Sequence, residues 1–352
     1  MKKSLIILLL IVLAALISLP GAAGESGAAA RKYDATEDGL VMHECAVLAF
    51  SQNKETELNL NDRPEFVGLT RPRGFIAIDD EYHGAEKKEP VSWNNIFRSV
   101  VYLYAPGQKE LTMGSKLPPR AFTVYAWPCQ KTVNPFLANI SISKKGVQIF
   151  WKNLKILAPG SEALKPPLAD GHWMKTARNT AANFLNFGKC GEKYLYYGMD
   201  DFPFEPPFEI TQSTAQVINI KGLAKADLSG VIAVQVSGGK GRALFQPELK
   251  ILPQAKDEII AIDLSPAKEF SIDSNQWQGA TKQRLTKSLV EMGLYTDEAA
   301  RLAEICNQKF FHTDGVRLIY RLPEDDCHRL YPLGYSEKPD AFKRVILIMI
   351  EK

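Results

Sequence analysis

The triplet His43-Glu44-Cys45 sets an imidazole, a carboxylate and a thiol side by side. Each of these groups can ligate a metal or move a proton, and neutral imidazole beside a thiolate suits zinc or copper. Successive side chains of a β-strand leave opposite faces, so on a strand His43 and Cys45 share one side while Glu44 faces away. A complete site needs further groups, and the other histidines are His83, His172, His312 and His328. His172-Trp173 and His312-Thr313-Asp314 are the best complements, since each lies in a segment with aromatic neighbours. The catalytic candidates are therefore His43, Glu44, His172, His312 and Asp314, and the metal candidates are His43, Cys45 and His172. The plainer alternative is a structural His43, hydrogen-bonded near the start of the first strand. No motif demands a cofactor, and zinc or copper is what these residues would suit.

Other chemistries find less support. Paired carboxylates hydrolyse glycosides when they stand about 5–10 Å apart. Asp79-Asp80-Glu81, Asp200-Asp201 and Glu324-Asp325-Asp326 supply such pairs, but adjacent acids in turns are ordinarily solvated. The sequence holds neither a G-x-S-x-G nucleophile elbow nor a G-x-x-x-x-G-K-[ST] phosphate loop. Ser237-Gly238-Gly239-Lys240-Gly241 reads as a hairpin turn between strands over 231–236 and 242–245. If the ligand is a glycan, flat rings would pack on it, with Trp93, Trp127 and Trp173 as the candidate platforms among five tryptophans.

The elements that must position these groups follow from the patterning. With 352 residues, 45% of them hydrophobic and 24% charged, the chain can bury a sizeable core and is neither disordered nor a multispan membrane protein. Lys2 and Lys3 precede an apolar run from Leu5 to Leu19 that ends in Pro20-Gly21-Ala22-Ala23-Gly24, a pattern that predicts a secretory signal peptide over 1–24. The mature chain is expected to be periplasmic or extracellular, with no transmembrane span. Losing the leader takes the net charge from +3 to near +1, and the longest basic clusters are pairs such as Lys87-Lys88, so nucleic acid is not an expected partner. Five cysteines then meet an oxidising compartment without any C-x-x-C spacing, and Cys306 with Cys327 is the first pair to test as a disulfide.

Residues 25–40 read as a flexible lead-in. From 41 to 252, short β-branched and aromatic runs broken by Pro and Gly predict an antiparallel, sandwich-like β domain. Residues 253–352 read as an α+β portion, free to pack as one unit with the preceding domain. It has a strand over 258–264, a helix over 281–292 stopped by Gly293, and a second helix capped by Thr296. Leu302, Ala303, Cys306 and Phe310 make the apolar face of that second helix, so the two form an αα-hairpin packed on a sheet. Strands over 316–321 and 345–350 follow, the last apolar throughout and hence central. The fold expected is mainly β with a C-terminal α+β portion.

The order of motifs resembles a group of secreted bacterial proteins of uncharacterised function. Its members open on a His-Glu-Trp-Gly-Thr-Phe-like motif, carry a Lys-Phe-Leu-Phe-Tyr-Arg-Gly-like middle motif and close on a helix with a Trp-Phe-x-Glu-Gly-Leu-Arg-Val-x-Tyr-like segment. The counterparts here are His43 to Leu48, Lys193 to Gly198, and Phe310 to Tyr320. Cys45 stands where the group has Trp, and the Gly-Thr that follows is missing. The resemblance implies a shared fold and a secreted habit. Residues and resemblance together lead to the expectation of a non-catalytic binding or envelope-associated module, with a glycan or an envelope protein as partner. The alternative is an extracytoplasmic, metal-dependent, hydrolase-like enzyme built on His43.

Overall fold

A computed structural model describes residues 32–36, 38–52, 78–79, 94–117, 123–128, 139–143, 146–165, 172–187, 190–200, 202, 204–251 and 259–352. The leader expected at 1–24, the first part of the lead-in, and Trp93 and His83 lie outside these residues. Strands dominate, arranged in three sheets with helices toward the C-terminus, so the chain is mainly β as its patterning predicts.

The largest sheet has ten strands. Edge to edge it runs Phe270–Ser271, Lys240–Ile251, Ala226–Ser237, Gly315–Arg321, Ala341–Glu351, Val41–Ser51, Asn94–Tyr104, Leu195–Asp200, Thr123–Trp127 and Ile78–Asp79. Its centre is a parallel pair in an otherwise antiparallel sheet. The opening strand Val41–Ser51 pairs in register with the closing strand Ala341–Glu351, from Val41 opposite Ala341 to Ser51 opposite Glu351. The Asp340 carboxylate starts the pairing by accepting the Leu40 amide at 2.7 Å. The closing strand is buried without a break from Arg344 to Glu351, because an apolar run can only be satisfied with both faces covered. Segments on both sides of residue 252 therefore share one sheet.

A second sheet runs Leu333–Tyr335, Lys109–Leu117, Gly146–Ile156, Leu185–Phe187 and Cys190–Glu192, with Asn139–Ser143 also paired to Gly146–Ile156. Its Trp151, fully buried, meets Tyr197 of the large sheet at 6.2 Å between ring centres. Phe208–Ser213, Val217–Gly222 and Ile259–Asp263 make the third, small sheet.

The other face of the large sheet is covered by the helical hairpin. Asn275–Glu291 begins where the Ser274 hydroxyl accepts the Trp277 amide at 3.2 Å and ends before Gly293, whose φ of 106° suits only glycine. Thr296–Phe311 follows and turns Ala299, Ala303, Cys306, Phe310 and Phe311 inward, with Phe311 stacked on Phe245 of the sheet. Its N-cap is Tyr295 rather than the expected Thr296, and the Glu298 side chain reaches back to the Tyr295 amide at 2.9 Å. Two further helices sit where the patterning left a turn or no assignment. Trp173–Ala177 is a short helix in the Ala-rich stretch, and Glu324–Leu330 carries Cys327.

Candidate functional site

All eleven residues of the opening strand are buried, so the polar His43 and Glu44 must find partners inside the protein. Strand alternation sends them to opposite faces. Glu44 points to the side of the second sheet, where Oε2 accepts the Arg344 Nε at 2.5 Å and Oε1 accepts the Ser99 hydroxyl at 2.6 Å and the Tyr197 hydroxyl. Arg344 stands directly across the parallel pair, and its guanidinium also lies 4.4 Å from the Tyr331 ring centre. Burial first and the Glu44 charge second push the Tyr197 phenol well above its ordinary pKa, which keeps its proton available to the carboxylate.

His43 faces the helical hairpin. Its Nδ1 lies 2.7 Å from Oε2 of Glu298, whose Oε1 accepts the Tyr104 hydroxyl at 2.8 Å. The imidazole packs 4.4 Å from the Tyr295 ring and 6.0 Å from that of Tyr104, and Tyr33 closes on both tyrosines. Nε2 takes no hydrogen bond among the described residues. A buried acid that orients an imidazole is an arrangement able to hold or move a proton. Glu298 is the residue that sequence reasoning missed. The signal was present in the acids of the second helix's first turn, but their link to His43 spans 255 positions.

The remaining candidates are scattered. His312 closes the C-terminal end of the helix whose first turn holds Glu298, about 20 Å away along the axis at 1.5 Å per residue. Its Nε2 accepts the Asn307 amide at 3.0 Å, and burial lowers its pKa. Asp314 lends its backbone carbonyl to Arg317 at 2.8 Å. His172 caps the short helix through Nδ1, which accepts the Met174 amide at 3.2 Å, and it stacks on Trp173. Glu44 is thus on the face opposite His43, as strand alternation predicts, while His172 and Asp314 bond nearby backbone and His312 bonds the Asn307 side chain.

Among the described residues no three His, Cys, Asp or Glu side chains gather where they could hold an ion. Cys45 does share the His43 face, but burial above all, with the charges of Glu298 and Glu44, pushes its thiol well above the ordinary range, whereas a ligand must be a thiolate. Cys306 and Cys327 are both buried free thiols, so the disulfide expected between them does not form. Of the sugar platforms, Trp127 is 5% exposed and donates to Glu192 at 3.2 Å, which leaves its ring no face to offer a sugar. Trp173 is half-buried against Tyr194 and Tyr196, and Trp151 and Trp277 are in the core.

Other acids are equally committed. Glu192 is gripped by Arg178 at 2.7 Å, and Glu351 by Arg317 at 2.6 Å and Lys309 at 2.7 Å. Glu324 and Asp326 sit in the first turn of their helix, paired with Lys343 and Arg329. No helix among the described residues is long and apolar enough to cross a membrane.

No protein-family model matches the chain, and no curated protein does. Among solved structures it is similar to the Fcho1 Mu homology domain of Danio rerio with bound Eps15 peptide. That match has a TM-score of 0.32 at 9% identity and covers 90% of this chain and 98% of the other. At that score the likeness supports no argument about this protein.

Proposed function

We propose that the chain is an exported, non-catalytic binding module of the cell envelope, with a neighbouring envelope protein as partner. The observation that carries this reading is that the candidate groups are each committed to a structural contact: His43 to Glu298, Glu44 to Arg344, His172 to the Met174 amide and His312 to the Asn307 amide. The leader pattern over 1–24 supports export. A protein partner is favoured over a glycan because three tryptophans are in the core, whereas the large aliphatics Leu223 and Ile259 are exposed at one end of the small sheet. A second reading, an extracytoplasmic hydrolase-like enzyme, is favoured by the Glu298-held His43 alone.

Expression of the full chain in a bacterial host tests the proposal. The mature protein is expected outside the cytoplasm with Glu25 as its first residue, metal-free and sedimenting with the envelope. The Leu223→Asp/Ile259→Asp variant is expected to shift to the soluble extracytoplasmic fraction. A chain retained in the cytoplasm with its leader overturns the export reading. Near-stoichiometric zinc or copper that disappears in His43→Ala would overturn the non-catalytic one.

A further inference from the structure

The small sheet ends in two edges that are treated differently. Along Phe208–Ser213, the Ile210 amide is taken by Gln52 Oε1 at 3.1 Å and the Thr211 carbonyl by the Lys352 ammonium. Along Ile259–Asp263, no strand pairs on the outer side among the described residues. The Leu264 amide turns inward to the Gln216 carbonyl at 2.6 Å. Alternation then turns the backbone groups of Ile260 and Ile262 inward as well, and those of Ile259, Ala261 and Asp263 outward. No hydrogen bond among the described residues reaches these outward groups.

An exposed edge is a template for another chain unless Pro, Lys, a bulge or short length blunts it. The long strand Lys240–Ile251 carries such a device. Gly241 faces Phe270, and outward positions counted in twos from it reach Pro247, which has no amide to offer. Ile259-Ile260-Ala261-Ile262-Asp263 has neither Pro nor Lys, and its register against Val217 to Lys221 runs without a bulge. Laid in reverse against itself, this segment is self-complementary. With Ala261 on the axis, half-buried Ile260 meets Ile262 of a second copy on the core side, and exposed Ile259 meets Asp263 of that copy on the outer side. The two Asp263 carboxylates then stand about 14 Å apart along the strands, beyond the ~8 Å screening length. A parallel alignment would set them opposite each other.

We propose that Ile259–Asp263 is a homotypic docking edge, on which a second copy of this chain adds antiparallel about a two-fold axis at Ala261. The two small sheets then continue as one, joined by about six N–H···O bonds, two for each facing pair. The contact also takes the remaining open surface of Ile260 out of water. A five-residue edge covers less than the about 800 Å² per partner of a standard interface, so the association is weak and concentration-dependent. It is independent of the envelope partner proposed above, because backbone groups make it and Leu223 lies off the edge.

Sedimentation velocity on the protein purified after expression of the full chain tests it, together with hydrogen exchange read at single amides. A monomer at about 10 μM is expected to pass toward dimer at about 1 mM. Exchange at Ala261 and Asp263 should slow as the dimer forms, while that at Ile260 and Ile262, already bonded inward, should not change. Ala261→Pro removes the axial outward amide and leaves the inward ladder, and it should weaken the dimer at least about tenfold. Ala261→Lys keeps the backbone intact and sets two ammonium groups opposite each other, which should weaken the dimer at least about threefold in low salt and less in high salt. Both variants keep Leu223 and Ile259, so envelope sedimentation should survive them. A protein still monomeric at about 1 mM, a dimer that both variants leave intact, or exchange at Ala261 that does not depend on concentration overturns the proposal.

Discussion

Two carboxylates flank the opening strand, Glu44 on the face toward the second sheet and Glu298 on the face toward the helices, and they are balanced by different means. Glu44 meets a guanidinium that is charged at every accessible pH, supported by two hydroxyls. Glu298 meets the Nδ1 edge of an imidazole, and an amide and a hydroxyl complete its shell. Adjacent residues of one strand therefore build a guanidinium–carboxylate pair on one face and an imidazole–carboxylate contact on the other. The partner of Glu44 comes from the neighbouring closing strand, as Arg344. The partner of His43 comes from the docked helix, as Glu298.

The largest effect expected is on the Glu44 face. Arg344→Met should cost about 3–5 kcal/mol in urea unfolding, because it strands a sealed carboxylate. Adding Glu44→Leu should recover most of that loss, and failure to recover would mean that the guanidinium acts mainly through Tyr331. On the helix face, Glu298→Ala should cost about 2–3 kcal/mol, with faster amide exchange at Tyr295 as the local sign. A cost equal to that of Arg344→Met would erase the contrast between the faces.

The two tyrosines sharpen it further. Oε1 of Glu44 keeps Ser99 when Tyr197 loses its hydroxyl, whereas Oε1 of Glu298 has Tyr104 as its sole donor among the described residues. Tyr104→Phe should therefore cost about 2 kcal/mol and Tyr197→Phe about 1 kcal/mol, an order opposite to that expected from how tightly each face is sealed. At the far end of the same helix, His312 has a pKa lowered by burial. The unfolded chain then binds the proton more readily, so stability is full above the unfolded value near 6.5 and falls as pH drops toward the folded one. His312→Asn should flatten that acid limb in pH-dependent thermal unfolding. Smallest in energy is the thiol test. Burial pushes Cys306 and Cys327 up to about 12 and Cys45 well above its ordinary range. All three should stay unreactive to a disulfide reagent at pH 8 until denaturant is added.

Much of the fold was legible locally. Alternation and turn residues located the opening strand, the Gly238-Gly239 hairpin and both long helices, because these features depend on residues a few positions apart. The split between the His43 and Glu44 faces was also legible, since strand geometry alone dictates it. The cap of the second helix was misplaced by one residue because Glu298, not a hydroxyl, satisfies the Tyr295 amide. The burial of Trp127 was not legible, because an indole nitrogen says nothing about whether its acceptor is water or a buried Glu192.

The sequence by itself determined a β-rich chain with a late helical hairpin, and it marked His43 and Glu44 as polar groups on opposite faces of one strand. Only the tertiary structure decided their partners. Arg344 reaches Glu44 because the chain's two ends pair in parallel, and Glu298 reaches His43 because the hairpin docks on that sheet. Contacts across 300 and 255 positions leave no local periodicity, since they arise from the collapse of apolar faces and not from neighbouring residues.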